Sequence, residues 1–88
     1  MPYKIKITEK FEKRYRNFNK NEKKQIDKTI KLLVQNPLHP SLRTKKIKGT
    51  NNLFECSANM DIRIIWYYEG ENLIILLDVG HHDILKKF

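Results

Sequence analysis

The C-terminal half of the chain alternates apolar and polar residues with the two-residue period of β-strands. Three segments are rich in β-branched and aromatic residues: LFECSA at 53–58, DIRIIWYY at 61–68 and NLIILLDV at 72–79. Short turns near Asn59 and at Gly70 separate them. The pattern therefore predicts three consecutive antiparallel strands joined by tight turns.

The N-terminal half begins with a strand and then changes to a helical period. Strand alternation with lysines is carried by Tyr3, Ile5 and Ile7. Helical spacing of apolar residues follows, first at Phe11, Tyr15 and Phe18 and then at Ile26, Ile30, Leu33 and Val34. Thr8 is the expected N-cap of the first helix, and Asn19 or Asn21 that of the second. Asn36 and Pro37 should end the second helix.

These elements predict an α+β fold for one domain spanning residues 1–88. An N-terminal strand should join an antiparallel sheet of about four strands, and a two-helix hairpin should pack on one face of that sheet. Residues 37–52 should form a loop, and a short strand at its basic end stays open as an alternative. Pairing that keeps apolar side chains together places Cys56 opposite Ile64 in the first hairpin. In the second hairpin it places Ile64 opposite Leu77 and Arg63 directly across from Asp78.

Composition narrows the class of protein. The chain has 88 residues, 40% of them apolar, which is too hydrophobic for a disordered segment and enough for one core. The longest apolar run, residues 73–77, is too short to cross a bilayer, so no membrane role is expected. The N-terminus lacks the apolar core of a secretory signal, and the single Cys56 has no partner for an internal disulfide. We therefore expect a cytoplasmic protein in which Cys56 is a core residue.

Charge is high and unevenly distributed. The formal net charge is +8 at pH 7, and residues 1–50 hold 15 Lys or Arg against 4 Asp or Glu. Two interpretations stay open, solvated lysine-rich helix faces or attraction to an anionic partner such as nucleic acid. The most compact basic segment follows the helices and consists of Arg43, Lys45, Lys46 and Lys48. We expect this segment to attract phosphates and Ile47 to anchor it.

Candidate chemistry lies where polar residues interrupt the apolar strands. Arg63 sits within an apolar run, and His81, His82 and Asp83 directly follow the last strand. An arginine beside a histidine combines charge stabilisation with proton transfer near neutral pH. The alternative is that Arg63 only forms a structural ion pair with Asp78. A metal site is disfavoured, since the side chains of adjacent residues at a strand end point in divergent directions. His39 is also the only suitably spaced Cys or His partner elsewhere in the sequence. No cofactor is expected.

The order of elements, the KKIKG segment at residues 45–49 and the LFE…DIRIIWYY…ILLDVGHHD series resemble the RelE/ParE superfamily of bacterial and archaeal toxins. The resemblance covers essentially the whole chain. It implies a curved antiparallel sheet, a cognate antitoxin that wraps the toxin, and cleavage of messenger RNA in the ribosomal A site by a RelE-like or YafQ-like endoribonuclease. It does not determine the oligomeric state.

The same resemblance implies roles for individual residues. Cleavage by attack of a 2′-hydroxyl on the adjacent phosphate needs a base, an acid and cations. Arg63 would stabilise the phosphorane, His82 would transfer a proton, and Asp61 would position a hydroxyl or water. RNA binding would fall to Arg43, Lys45, Lys46, Lys48, His81 and Phe88, with Tyr67 as an alternative stacking group.

The chain also departs from the family pattern. Some relatives carry two lysines, or a histidine, on the strand where this chain has Glu55 and Ser57. Three functional hypotheses therefore remain: an endoribonuclease, a ParE-like gyrase poison, and a catalytically weak member of the family that binds RNA or antitoxin.

Overall fold

The computed structural model describes residues 2–88, without the side chain of Lys87, as two helices on a mixed five-stranded sheet. The strands are β1 (Lys4–Ile7), β2 (Lys45–Lys46), β3 (Phe54–Ser57), β4 (Ile62–Glu69) and β5 (Leu73–His81), and the helices are α1 (Glu9–Arg16) and α2 (Lys20–Gln35). Two 3₁₀ segments complete the chain, Pro40–Leu42 before β2 and His82–Lys87 after β5. The predicted α+β class is confirmed.

Local sequence signals fix both helix starts. The Thr8 hydroxyl accepts a hydrogen bond from the Phe11 amide, as an N-cap should. Asn19, rather than Asn21, caps α2 in a capping box, because its side chain accepts from Glu22 N while the Glu22 carboxylate accepts from Asn19 N. The predicted end of α2 before Pro37 is confirmed.

The order of strands across the sheet is β1-β5-β4-β3-β2. Strands β2, β3, β4 and β5 pair antiparallel in succession, as predicted. Strand β1 pairs parallel with β5, and the long connection that a parallel pair needs consists of the two helices and strands β2 to β4. The short strand β2 adds the fifth member at the basic end of the loop. None of the helices within residues 2–88 combines the length and apolar character needed to cross a bilayer.

The predicted pairing of β3 with β4 is confirmed, with Cys56 opposite Ile64. The predicted pairing of β4 with β5 is wrong. The turn leaves Glu69 opposite Leu73, one residue further than expected, and a β-bulge between Ile65 and Trp66 shifts the register again.

The consequence concerns Arg63 and Asp78. Arg63 pairs with Gly80, and Asp78 pairs with Ile65, so the predicted contact of Arg63 with Asp78 does not form. The longer turn and the bulge each displace the pairing by one residue, two residues in all at this end of the hairpin. Because side chains alternate with a period of two, Arg63 still lies on the sheet face away from the main core.

Two apolar clusters cover the two faces of the sheet. The main cluster joins the helices to the sheet and includes Phe11, Phe18, Ile26, Leu33, Leu42, Cys56, Ile62, Ile64, Trp66, Ile74, Leu76 and Val79. The smaller cluster lies on the opposite face and contains Ile47, Ile65 and Ile84, with Leu53, Leu77, Leu85 and Phe88 packed against it. The shifted register places Ile74 and Leu76 in the main cluster, on the helix side of the sheet.

Cys56 is a core residue, as its alternation with Phe54 predicts. Burial raises the pKa of its thiol to about 12. The thiol is therefore neutral at physiological pH and is no nucleophile.

Asp78 fastens α1 to β5. Its carboxylate is fully buried and lies 3.1 Å from Arg14 Nε and 3.3 Å from Lys10 Nζ, and it accepts a hydrogen bond from the Val79 amide. The Thr8 hydroxyl adds hydrogen bonds to the carbonyls of Leu76 and Leu77. Arg14 thus points from α1 to the sheet.

Candidate functional site

Asp61 and the two histidines meet at the end of the sheet where β4 begins and β5 ends. The Asp61 carboxylate lies 2.5 Å from His81 Nδ1, and its other oxygen accepts a hydrogen bond from the backbone amide of His82 at 3.3 Å. The His81 ring also packs at 5.4 Å from the ring of Phe18, just beyond α1. One carboxylate therefore holds both residues that follow the predicted strand.

The electrostatics of this contact favour the charged carboxylate. The hydrogen bond from His81 lowers the pKa of Asp61, and the backbone amide of His82 lowers it further. Asp61 is exposed, so water screens the pair and its effect is chiefly geometric. The imidazole of His82 is itself exposed at the surface.

Arg63 is held by the turn between β3 and β4. Its Nη1 donates hydrogen bonds to the carbonyls of Asn59 at 2.9 Å and Ile62 at 3.2 Å. Its Nε lies 3.9 Å from Glu55, a weak ion pair, and the side chain is only 15% exposed. The guanidinium is thus fixed by backbone carbonyls, where the sequence suggested Asp78.

The side chain of Asn59 closes this turn through three hydrogen bonds. Its Oδ1 accepts hydrogen bonds from the amides of Asp61 and Ile62, and its Nδ2 donates to Gln25 of α2. This is the side-chain mimicry of a backbone turn that asparagine provides. Asn59 therefore contacts two of the candidate residues, the backbone amide of Asp61 through its side chain and the guanidinium of Arg63 through its backbone carbonyl.

Two separate cavities flank this end of the sheet. Arg63 lines one of about 330 Å³, together with Ser41, Arg43, Ser57, Asn59 and Met60. His81 lines another of about 260 Å³, together with Arg14, Asn17, Phe18, Glu22, Val79, Gly80, Asp83 and Ile84. The structure brings Asp61, His81 and His82 together and places Arg63 in the neighbouring cavity with Arg43. His82 lines neither of these two cavities.

The remaining predicted RNA-binding residues lie apart from the histidines. Lys45, Lys46 and Lys48 are exposed along β2 and the turn after it, and Ile47 is buried between them, the anchor that the sequence predicted. Phe88 packs against the smaller apolar cluster, and Lys10 Nζ lies 5.7 Å from the centre of its ring.

Sequence reasoning missed three polar residues of the site. Ser41 and Asn59 line the Arg63 cavity, and Gln25 fixes Asn59 from α2. The one available signal was the Asn-x-Asp spacing at residues 59–61, which is typical of a turn closed by an asparagine side chain. Within residues 2–88, excluding the side chain of Lys87, no three His, Cys, Asp or Glu side chains are grouped to hold a metal ion.

A sequence model of the YafQ toxins, described as bacterial toxins of type II toxin–antitoxin systems, matches residues 3–87. The chain belongs to this family. It is therefore a RelE/YafQ-type toxin of a type II toxin–antitoxin system. No curated protein sequence matches it.

Solved toxins share the fold of this YafQ-family chain at low sequence identity. The archaeal RelE–RelB complex from Pyrococcus horikoshii aligns with a TM-score of 0.77 at 20% identity, over 92% of this chain and 96% of that chain. The RelBE2 toxin–antitoxin complex from Mycobacterium tuberculosis gives 0.79 at 15% identity, over 93% and 100%. A mutant of the free Escherichia coli toxin RelE gives 0.75 at 15% identity, over 99% and 93%. These likenesses establish the RelE-like fold.

Proposed function

We propose that this toxin is a ribosome-dependent endoribonuclease that cleaves messenger RNA in the A site by attack of a 2′-hydroxyl on the scissile phosphate. The single observation that carries the proposal is the contact of one carboxylate, Asp61, with two consecutive histidines at the end of β5 in a YafQ-family chain. A carboxylate that holds an imidazole-bearing segment is a common arrangement for proton transfer.

The proposed reaction assigns one role to each of three residues. His82, whose imidazole is exposed, transfers a proton to or from a reacting oxygen. Arg63 stabilises the extra negative charge of the phosphorane, and its hydrogen bonds to two carbonyls keep the guanidinium in place without consuming its charge. Asp61 orients the His81–His82 segment and the hydroxyl or water next to it.

The proposal also assigns binding partners. The exposed side chains of Lys45, Lys46, Lys48 and Arg43 attract phosphates of the RNA, and His81 and Phe88 contact neighbouring nucleotides. A net charge of +8 favours both the ribosome with its messenger RNA and an acidic cognate antitoxin. RelE relatives from Pyrococcus horikoshii and Mycobacterium tuberculosis were solved as complexes with their antitoxins, which supports the second partner.

Expression of variants in a bacterial host tests the assignment. The unaltered toxin should arrest growth and create new 5′ ends in cellular messenger RNA, detected by primer extension. Arg63→Ala and His82→Ala should each abolish both effects, whereas Lys24→Ala, which removes an exposed charge from α2, should retain them. Circular dichroism of the purified variants checks that each is folded.

Two results would contradict the proposal. Growth arrest without new 5′ ends would point to a different target, as in a ParE-like gyrase poison. Undiminished cleavage by both Arg63→Ala and His82→Ala would remove the assigned chemistry while leaving the toxin class intact.

A further inference from the structure

The backbone of Arg43 is strained at the edge of the Arg63 cavity. Arg43 has φ 51° and ψ 43°, and it is the only residue other than glycine with a positive φ in the described part of the chain. This left-handed conformation favours glycine or asparagine and is unfavourable for a long side chain. Strain of this kind is concentrated at ligand-binding positions, where the surrounding structure maintains it.

The cavity that Arg43 shares with Arg63 has the composition of an anion site. Its lining contains two guanidinium groups, the hydroxyls of Ser41 and Ser57 and the carboxamide of Asn59, and none of the described carboxylates lines it. The cavity beside His81, in contrast, is lined by Glu22 and Asp83 as well as by Arg14. The Arg63 cavity is therefore the more favourable of the two for a negative ligand.

Both guanidinium groups keep donors available for a ligand. Among the described residues, Arg43 has no carboxylate within ion-pair distance, and Arg63 has only Glu55, at 3.9 Å. Arg63 also makes no hydrogen bond through Nη2 within that part of the chain, since its two hydrogen bonds both use Nη1. Arginine forks with free donors suit the oxygens of a phosphate, to which they donate two parallel hydrogen bonds.

The rim of the cavity suits a nucleotide more than a free ion. Met60 is 92% exposed at the turn between β3 and β4 and lines the same cavity. An exposed thioether provides a polarisable apolar surface against which a nucleobase can pack. A phosphate in the cavity would thus bring its own base or the next one to Met60.

We propose that Arg43 and Arg63 together bind one phosphodiester of a single-stranded RNA, with Ser41, Ser57 and Asn59 as neutral donors and Met60 against an adjacent base. This deepens the proposed function and rests on it for the identity of the strand as messenger RNA. Arg43 is then part of the binding site itself, and its strained backbone serves to place a second cation beside Arg63.

An uncleavable strand tests the site without the ribosome or the reaction. A short single-stranded oligodeoxynucleotide lacks the attacking 2′-hydroxyl, and its binding is followed by NMR through the backbone amides and the arginine Nε–H groups at low salt. Saturable shifts are expected at Arg43, Ser57 and Arg63. Arg43→Asn tolerates the left-handed backbone and should fold as well as the original chain, yet it should bind about tenfold more weakly.

Salt dependence separates a specific contact from general attraction. Arg43→Asn should lower the slope of log K against log salt by about 0.7, the value for one phosphate of a single strand. Arg16→Asn is the matched control, because it removes one guanidinium from an exposed position on α1, where Glu12 is its one ion-pair partner among the described residues. It should leave the shifts at Arg63 unchanged.

The binding and cleavage measurements separate the phosphate site from the endoribonuclease activity. The proposal is overturned by equal weakening in Arg43→Asn and Arg16→Asn, by the absence of shifts at Arg63, or by shifts with inorganic phosphate that the oligonucleotide does not reproduce. Binding that depends on Arg43 in a toxin that leaves no new 5′ ends in cells would keep the site and refute the endoribonuclease. Cellular cleavage that Arg43→Asn leaves unchanged would refute the site and keep the endoribonuclease.

Discussion

Replacing Gly80 with alanine should push the C-terminal 3₁₀ helix away from the sheet. An added Cβ at this position would lie 2.8 Å from Ile84 Cδ1, 3.2 Å from Ile84 Cβ and 3.3 Å from Ile84 Cγ1. Ile84 is 3% exposed and belongs to the smaller apolar cluster, so it has little room to withdraw. Because that 3₁₀ helix begins at His82, the clash would also move the residue assigned to proton transfer.

The expected cost follows from two opposing effects. Overpacking of one methyl group in a filled core costs about 1–3 kcal/mol. Alanine in place of glycine within a strand recovers roughly 0.5–1 kcal/mol of chain entropy. Gly80→Ala should therefore lower the free energy of unfolding by up to about 2.5 kcal/mol.

A double-mutant cycle with Ile84→Val isolates the clash. Valine lacks Cδ1, the atom of closest approach, and by itself should cost about 0.5–1.5 kcal/mol. The double variant should be about 1 kcal/mol more stable than the sum of the two single effects predicts, because the remaining contacts are longer. Urea unfolding, followed by the fluorescence of Trp66, provides each free energy.

Gly70→Ala is the matched control for this cycle. Gly70 has φ +68° and open space around it, so alanine there adds backbone strain without meeting Ile84. Its effect should add to that of Ile84→Val within about 0.5 kcal/mol. If the effects of Gly80→Ala and Ile84→Val also added within about 0.5 kcal/mol, the packing of the 3₁₀ helix on Gly80 would be refuted.

Two further predictions concern the carboxylates. Asp78→Asn removes the buried partner of Arg14 and Lys10; both cations can regain water, so the loss should be about 1–3 kcal/mol, less than for a fully buried pair, and an unchanged urea midpoint would contradict the anchor. The pKa of Asp61 is lowered from its ordinary 3.8, so the stabilisation it contributes is present above that value and is lost as the pH falls through the lowered pKa. Urea midpoints measured in this acid range should fall more steeply for the original chain than for Asp61→Asn, and parallel curves would show that the contact with His81 contributes no stability.

Most of the fold was predictable because its signals are local. The caps at Thr8 and Asn19 and the stop before Pro37 are each encoded within a few residues of sequence. The pairing of β3 with β4 was predictable because a short turn fixes it and one register alone keeps Cys56 beside Ile64.

The pairing of β4 with β5 was not predictable by the same rule. The Gly70 turn is one residue longer than assumed, and an apolar strand such as β5 offers nearly equal hydrophobic matches in neighbouring registers. Asp78 then lies against α1, so the true partners of both Asp78 and Arg63 depend on contacts between segments distant in sequence.

The positions of some candidate residues were predictable from the sequence, whereas most of their contacts were not. The sequence brought Asp61, His81 and His82 to one end of the sheet, where the structure also has them. It did not indicate that Ser41 and Arg43 reach Arg63, because their approach depends on the 3₁₀ turn at Pro40–Leu42, which has no periodic pattern.

The bulge in β5 adds one residue to the strand and keeps the pairs on either side of it on the same face of the sheet. Leu77 is the extra residue opposite the step from Ile65 to Trp66, and after it Val79 returns to the helix side while Gly80 receives Ile84 on the other. Deleting Leu77 would remove the bulge and leave Val79, Gly80 and His81 on their present faces, because Asp78 would then follow Leu76 in regular alternation opposite Ile65 and Trp66. The inserted residue thus lets Leu76 and Val79, which are three positions apart in the strand, share the helix side of the sheet.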